Sequence, residues 1–198
     1  PRPVDATGTG KTIPPVAEPV APLSGIRTLA PTPTLDKFGR DLTQAARDGK
    51  LPPCVGRDTE IETIIETLCR RTKRNPLLVG AAGTGKTAIV EGIAQRIIRG
   101  EVPAPLRGVR LVGLQPSALV AGAGIVGELD KRVGAILAES AQDGIVLFID
   151  EVHAIMGAGG REGTGDISSM LKPALARGEI ACIAATTDEE YRQFIEHD

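Results

Sequence analysis

Residues 75–99 read NPLLVGAAGTGKTAIVEGIAQRIIR, and this stretch decides the fold. Its opening, NPLLVG (75–80), is a short apolar run between Pro76 and Gly80, which predicts a buried strand. Its second half carries Ile89, Val90, Ile93, Ile97 and Ile98 at helical spacing with Gly100 beyond, which predicts a helix over 86–99. Between them, GAAGTGKT (80–87) fills every position of the pattern G-x-x-x-x-G-K-[S/T]. Glycines belong there because the backbone must curl with its N–H groups inward, and a Cβ obstructs that curl. Inward N–H groups and a helix start together favour an anion. Gly80, Ala81, Ala82, Gly83, Thr84, Gly85, Lys86, Thr87 and Ala88 are therefore expected to cradle phosphate. Lys86 brings a cation for the β- and γ-phosphates, and Thr87 a hydroxyl for Mg²⁺.

The letters GTGKT also occur at 8–12, where they lack that setting. PRPVDAT precedes them and is no strand; IPPV follows and breaks any helix. The longer pattern needs glycine at position 5, which is Asp5. This copy is expected to be a decoy. It sits in a segment, 1–34, that holds Pro1, Pro3, Pro14, Pro15, Pro19, Pro22, Pro31 and Pro33, and that reads as an extended, flexible linker. A chain that starts with Pro1 and not Met is expected to be a processed form or a piece of something longer.

From 35 to 198 the chain alternates. Leu35, Phe38, Leu42, Ala45 and Ala46 predict a first helix that Gly49 can stop. Ile61, Ile64, Ile65, Leu68 and Cys69 predict a second, with Asp58 as its cap. Strands are expected at 75–80, 109–114, 144–150 and 180–187, with helices at 127–141, 166–177 (interrupted by Pro173) and 188–197. Continuous apolar strands between helices imply a parallel sheet covered on both faces, with ligands beyond its carboxyl edge.

The strand IVLFIDE ends in Asp150 and Glu151, at that edge. Asp150 suits a partner of Mg²⁺, and Glu151 suits a base or orienter for an attacking water. Thr187 closes the next strand, where it could hydrogen-bond the γ-phosphate or the water; it also opens the capping box Thr187-Asp188-Glu189-Glu190.

Composition narrows the rest. The chain has 198 residues and 41% apolar content, enough for one domain and its core. Lys+Arg total 23 against 25 Asp+Glu, so no general polyanion binder is indicated, and a helicase-like role is disfavoured. Aromatics are 2%, too few for stacking single-stranded nucleic acid. Cys54, Cys69 and Cys182 form neither a disulfide framework nor a zinc pattern and fit a reducing, cytoplasmic setting. His153 and His197 are too few for a metal cluster, and no apolar run has membrane-spanning length.

Over 35–198 the chain resembles the first ATPase module of the Clp-type AAA+ unfoldases, the ClpA/ClpB/ClpC group. The matching stretches are VGRDTEI, RRTKRNPLLVGAAGTGKTAIVEGIAQRII, LFIDEVHAIMGAG, MLKPALARGE and AATTDEEYRQFIEHD. The resemblance implies an α/β large subdomain with a five-stranded parallel sheet of order 5-1-4-3-2 between helices, working as a hexameric ring. It implies ATP/ADP with Mg²⁺, held by Lys86, Thr87 and Asp150, with Glu151 catalytic. It makes Thr187 a sensor of phosphate and places Val55 against adenine, where simple core packing is the alternative. Implied partners are further copies of the protein, protein substrates, and a protease or a secretion sheath. Two departures stand out. The pore loop AGAGIVGELD (121–130) has Ile125 where the family has an aromatic, between Gly124 and Val126 where it has basic residues. In this it is similar to the Clp ATPase of type VI secretion, and it admits a nucleotide-gated assembly or sheath-remodelling module with little threading. The family's arginine finger and helical lid come after EHD (196–198), so this chain is expected to bind nucleotide better than it hydrolyses it.

Overall fold

The computed structural model describes residues 29–121, 127–156 and 167–196. The GTGKT at 8–12, most of the proline-rich linker, Ile125 with its flanking Gly124 and Val126, the Gly-rich stretch 157–165 and His197 lie outside the described residues.

A five-stranded sheet organises the molecule. Its strands are β1 (Gly39–Asp41), β2 (Leu77–Val79), β3 (Arg110–Leu114), β4 (Ile145–Ile149) and β5 (Ala181–Thr186), in spatial order β1-β3-β4-β5-β2. The pairs β2–β5, β5–β4 and β4–β3 are all parallel. These four are the strands read from the sequence, and they follow the 1-4-3-2 part of the expected order.

The fifth strand arises differently from the sequence reading. The stretch 35–46 was expected as one helix; it forms α1 (Pro33–Phe38), then β1, then α2 (Leu42–Arg47). β1 lies antiparallel to β3, with Arg40 opposite Gly113. Gly39 permits the break: a Cβ there would stand 2.7 Å from the Leu35 carbonyl oxygen and overlap Val112. Asp41 then starts α2 by accepting the Gln44 N–H at 2.8 Å. The apolar positions keep their helical spacing because each short helix buries its own share.

The helices follow from their stripes. α3 (Asp58–Leu68) buries Ile61, Ile64, Ile65 and Leu68, and α4 (Lys86–Arg99) buries Ile89, Val90, Ile93, Ala94 and Ile97. Asp58 proves to be the first residue of α3 and not its cap, which is Arg57; its carboxylate pairs with Arg96 of α4. α3 and the segment before it pack tightly on α4 at Gly92, where a Cβ would meet Ile61 Cδ1 at 2.7 Å and Cys54 Cβ at 3.0 Å. Short helices α5 (Pro116–Val120) and α7 (His153–Met156) were not foreseen, whereas α6 (Glu128–Ser140), α8 (Ile167–Ala176) and α9 (Asp188–Phe194) were.

The sheet separates two cores. Leu111, Val146, Phe148, Ile183 and Ala185 face α2, α3 and α4, while Val112, Leu114, Ile145, Leu147, Ile149 and Cys182 face α1, α6 and α8. Every residue of β4 is buried, as a central strand covered on both faces requires. Each such aliphatic side chain contributes about 1.5–3 kcal/mol over exposure. This rigid centre carries Asp150 and Glu151 on its carboxyl end. Among the described residues, no helix is long and apolar enough to cross a membrane.

Candidate nucleotide site

The loop Gly80–Gly85 leaves β2 and enters α4 through two left-handed glycines, Gly83 at φ +77° and Gly85 at φ +86°. Residues with a Cβ are strained at both positions, so the curl requires these glycines. Thr84 tightens it: its hydroxyl donates to the Ala81 carbonyl at 2.9 Å. Gly85 is the N-cap of α4 and supplies no side-chain cap, and the first turn holds no acid. The leading N–H groups of a 14-residue helix are thus directed at whatever occupies the loop.

Lys86 folds over this loop. Its Nζ donates to the Gly80 carbonyl at 2.7 Å and the Ala81 carbonyl at 3.0 Å. Both partners are neutral backbone oxygens, so the full ammonium charge stays at the mouth of the cradle. Thr87 is exposed, and its hydroxyl donates to Asp150 Oδ2 at 2.7 Å. Asp150 Oδ1 accepts the Glu151 N–H at 3.1 Å. Glu151 is exposed with φ +54°, a left-handed conformation that costs a non-glycine residue on the order of 1 kcal/mol or more. Its turn is pinned where the Val152 N–H reaches the Ala185 carbonyl at 3.0 Å.

The parallel register gathers these groups. Val79 pairs with Thr186 and Ile149 with Ala184, so Gly80, Asp150 and Thr187 leave neighbouring strands at one edge. Thr187 is the N-cap of α9 in a full capping box: Glu190 N–H reaches its Oγ1 at 3.3 Å, and Glu190 Oε2 accepts the Thr187 N–H at 3.2 Å. Val55 is 84% exposed and belongs to neither core of the described residues. Its segment is tied to the loop by Arg57, which donates to the Thr84 carbonyl at 2.8 Å and pairs with Glu60 at 2.7 Å. Ala82 is exposed on the loop, and Ala88 sits half-buried in the first turn of α4.

Two contributors escaped the sequence reading. Arg57 carries no local signal, since an arginine beside an acid is ordinary at a solvated helix start. His153 was noted only as a poor metal candidate; its Nδ1 lies 2.9 Å from Glu190 Oε2. The sequence signals were the D-E-x-H and T-x-x-E spacings, read together.

The residues fit a Mg²⁺-nucleotide. The cradle is one a Cβ would strain, the cation has no carboxylate partner among the described residues, and the hydroxyl and carboxylate of Thr87 and Asp150 are hard oxygen donors in contact. No cluster of three or more His, Cys, Asp or Glu able to hold a metal occurs among the described residues. Mg²⁺ takes one or two protein oxygens and completes its shell with water and phosphate. A cavity of about 850 Å³ lies elsewhere, beside the β2 edge between Arg74, Leu77, Lys172 and Cys182, and includes none of Gly80–Thr87.

The chain is similar to known proteins of one family. The ATPase family associated with various cellular activities (AAA) matches residues 76–195. The chaperone protein ClpB of Gloeobacter violaceus is 54% identical over 167 residues, covering 83% of this chain and 19% of that protein. ClpB of Propionibacterium freudenreichii is 56% identical over 166 residues, with the same coverage. The chain thus spans about a fifth of the length of these relatives. Among solved structures, a closed-state cryo-EM reconstruction of Hsp104 with ATPyS and FITC casein superposes with a TM-score of 0.75 at 47% identity, covering 83% of this chain and 28% of that one. The Saccharomyces cerevisiae Hsp104–ADP complex gives 0.74 at 48% identity, with the same coverage. A match across 76–195, together with relatives more than half identical, makes this chain a member of the AAA ATPase family and, within it, a Clp-type nucleotide-binding module.

Proposed function

We propose that this chain binds and hydrolyses ATP as one module of a protein-remodelling ring. One observation carries the reading: the Gly80–Thr87 cradle meets the acidic strand end at the Thr87–Asp150 contact of 2.7 Å. Lys86 turns from the Gly80 and Ala81 carbonyls to the β- and γ-phosphate oxygens. Thr87 and Asp150 would hold Mg²⁺, which would supply positive charge beside those oxygens. Glu151 orients the attacking water and takes its proton as the P–O bond to the leaving ADP breaks. Thr187 contacts the water or the γ-phosphate from the neighbouring strand. Val55 packs on adenine, a role its exposure supports. The domain runs over 35–198 and also takes in residues just before 35, since the Ala30 and Thr34 N–H groups are held by Gln142 and Glu139 and Thr32 is buried, so the linker is shorter than 1–34.

The wider role rests on the relatives. Similarity to ClpB, and to an Hsp104 solved with casein, supports a hexameric ring of this protein acting on protein substrates in the cytoplasm, with three free cysteines to match. Threading of an unfolded protein by the full-length protein, compared with Ile125→Tyr, separates this reading from a nucleotide-gated assembly or sheath-remodelling module with little threading.

The test is Glu151→Gln. Nucleotide affinity should stay within about twofold while turnover falls roughly 10²–10⁴-fold. Turnover at the wild-type rate removes Glu151 from the reaction.

A further inference from the structure

Glu190 makes more contacts than a helix cap needs. It is the third residue of α9, and the capping box asks it only to accept the Thr187 N–H. Its Oε2 also accepts the Thr187 hydroxyl at 2.7 Å and lies 2.9 Å from His153 Nδ1. A carboxylate oxygen only accepts, so that ring nitrogen carries the proton. The same Nδ1 lies 3.2 Å from the buried Thr186 Oγ1, and the ring stacks on Phe194 with centroids 6.5 Å apart. His153 opens α7 and stands two residues after Glu151, in the turn that holds Glu151 at φ +54°. One carboxylate oxygen therefore joins the strand end bearing the proposed water-activating acid to the strand end bearing Thr187.

We infer that Glu190 is a positioning residue for phosphoryl transfer, fixing the Thr187 hydroxyl and, through His153, the turn that presents Glu151. The inference rests on the ATPase reading above. A hydroxyl has one proton and two lone pairs. The Thr187 O–H donates to Glu190 Oε2, and the Glu190 N–H occupies one lone pair at 3.3 Å. The remaining lone pair accepts. Thr187 thus offers an acceptor to a water hydrogen, not a donor to a phosphate oxygen. Glu151 and Thr187 become two acceptors for the same water, with their separation set by Glu190 and His153.

The test compares Glu190→Ala and Glu190→Gln in the full-length protein, by nucleotide affinity, turnover and amide hydrogen exchange. Glu190→Ala should lower kcat roughly ten- to hundredfold, as misplacement of reacting groups does, with affinity within about twofold. The amides of 152–155 should exchange faster while those of α4 do not change. Glu190→Gln keeps an acceptor oxygen and the cap, and should restore most of both. Unchanged exchange over 152–155 in Glu190→Ala overturns the inference whatever the turnover shows. So does a kcat equal to wild type, or an equal loss of kcat and affinity that Gln does not rescue. A wild-type chain that binds no nucleotide at Gly80–Thr87 instead overturns the ATPase reading, and the catalytic part of this one with it.

Discussion

Two polar clusters flank this sheet, and they spend their charges in opposite ways. Beside the β1 edge, Arg110 donates through Nε to Asp41 at 2.6 Å, through Nη2 to Asp36 at 2.6 Å, and through Nη1 to the Thr32 hydroxyl. Close by, Glu139 accepts the Thr34 and Leu35 N–H groups at 3.0 and 2.8 Å, and Arg132 lies over the Phe38 ring at 4.2 Å. Each charge has a lasting partner, and together they clamp the N-terminal segment to the sheet. At the carboxyl edge, Lys86 holds only carbonyls of its own loop, and Thr84, Thr87 and Glu151 are exposed. Backbone there is left-handed at Gly83, Gly85 and Glu151. A structural cluster neutralises its charges internally. A binding cluster keeps them on weak partners that a ligand can replace, and holds strain that packing elsewhere sustains.

The two clusters should respond oppositely to loss of their central cation. Lys86→Ala should weaken ATP affinity on the order of a hundredfold, the scale of a charge-assisted contact to phosphate, with Tm unchanged. A nucleotide titration alongside a thermal melt checks both halves; a lowered Tm with intact affinity would erase the contrast. Arg110→Ala should do the reverse. It leaves Asp41 and Asp36 without their cation and should cost roughly 1–3 kcal/mol, less than for a fully buried pair because Asp36 is largely exposed. Urea unfolding measures that loss, and nucleotide affinity should not follow it.

The smallest effect is in acid. Burial raises the Asp41 carboxyl, but the Thr43 hydroxyl, the Gln44 N–H and Arg110 outweigh it and hold Asp41 below the ordinary carboxylate range. A group depressed by folding stabilises fully above its unfolded value, about 3.9, and loses that contribution as pH falls through its folded value. Stability should therefore fall below about pH 4, and Asp41→Asn should flatten that limb in melts taken across pH.

The sequence made the second cluster legible and hid the first. Gly80–Thr87 is contiguous, each letter has a steric or electrostatic reason, and α4 was read to its observed ends. Asp150 and Glu151 were found because a fully buried strand must release its first polar residues at the sheet edge. The Arg110 cluster joins residues 32, 36, 41 and 110, and nothing local marks Arg110 as their partner. β1 was missed because Leu35, Phe38 and Leu42 keep helical spacing across it, and only the close approach of Gly39 to Leu35 and Val112 gives the strand away. Glu190 was read as a cap, since its second role depends on His153, 37 positions earlier, arriving across the β4–β5 pairing.

The central claim is that one of the two GTGKT sequences, the copy at 83–87, holds nucleotide. Calorimetric titration of the chain with Mg²⁺-ADP tests it most directly, using Lys11→Ala and Lys86→Ala as paired variants. One site per chain is predicted, intact in Lys11→Ala and weakened on the order of a hundredfold in Lys86→Ala. Affinity unchanged in Lys86→Ala, or lost in Lys11→Ala, would contradict the account.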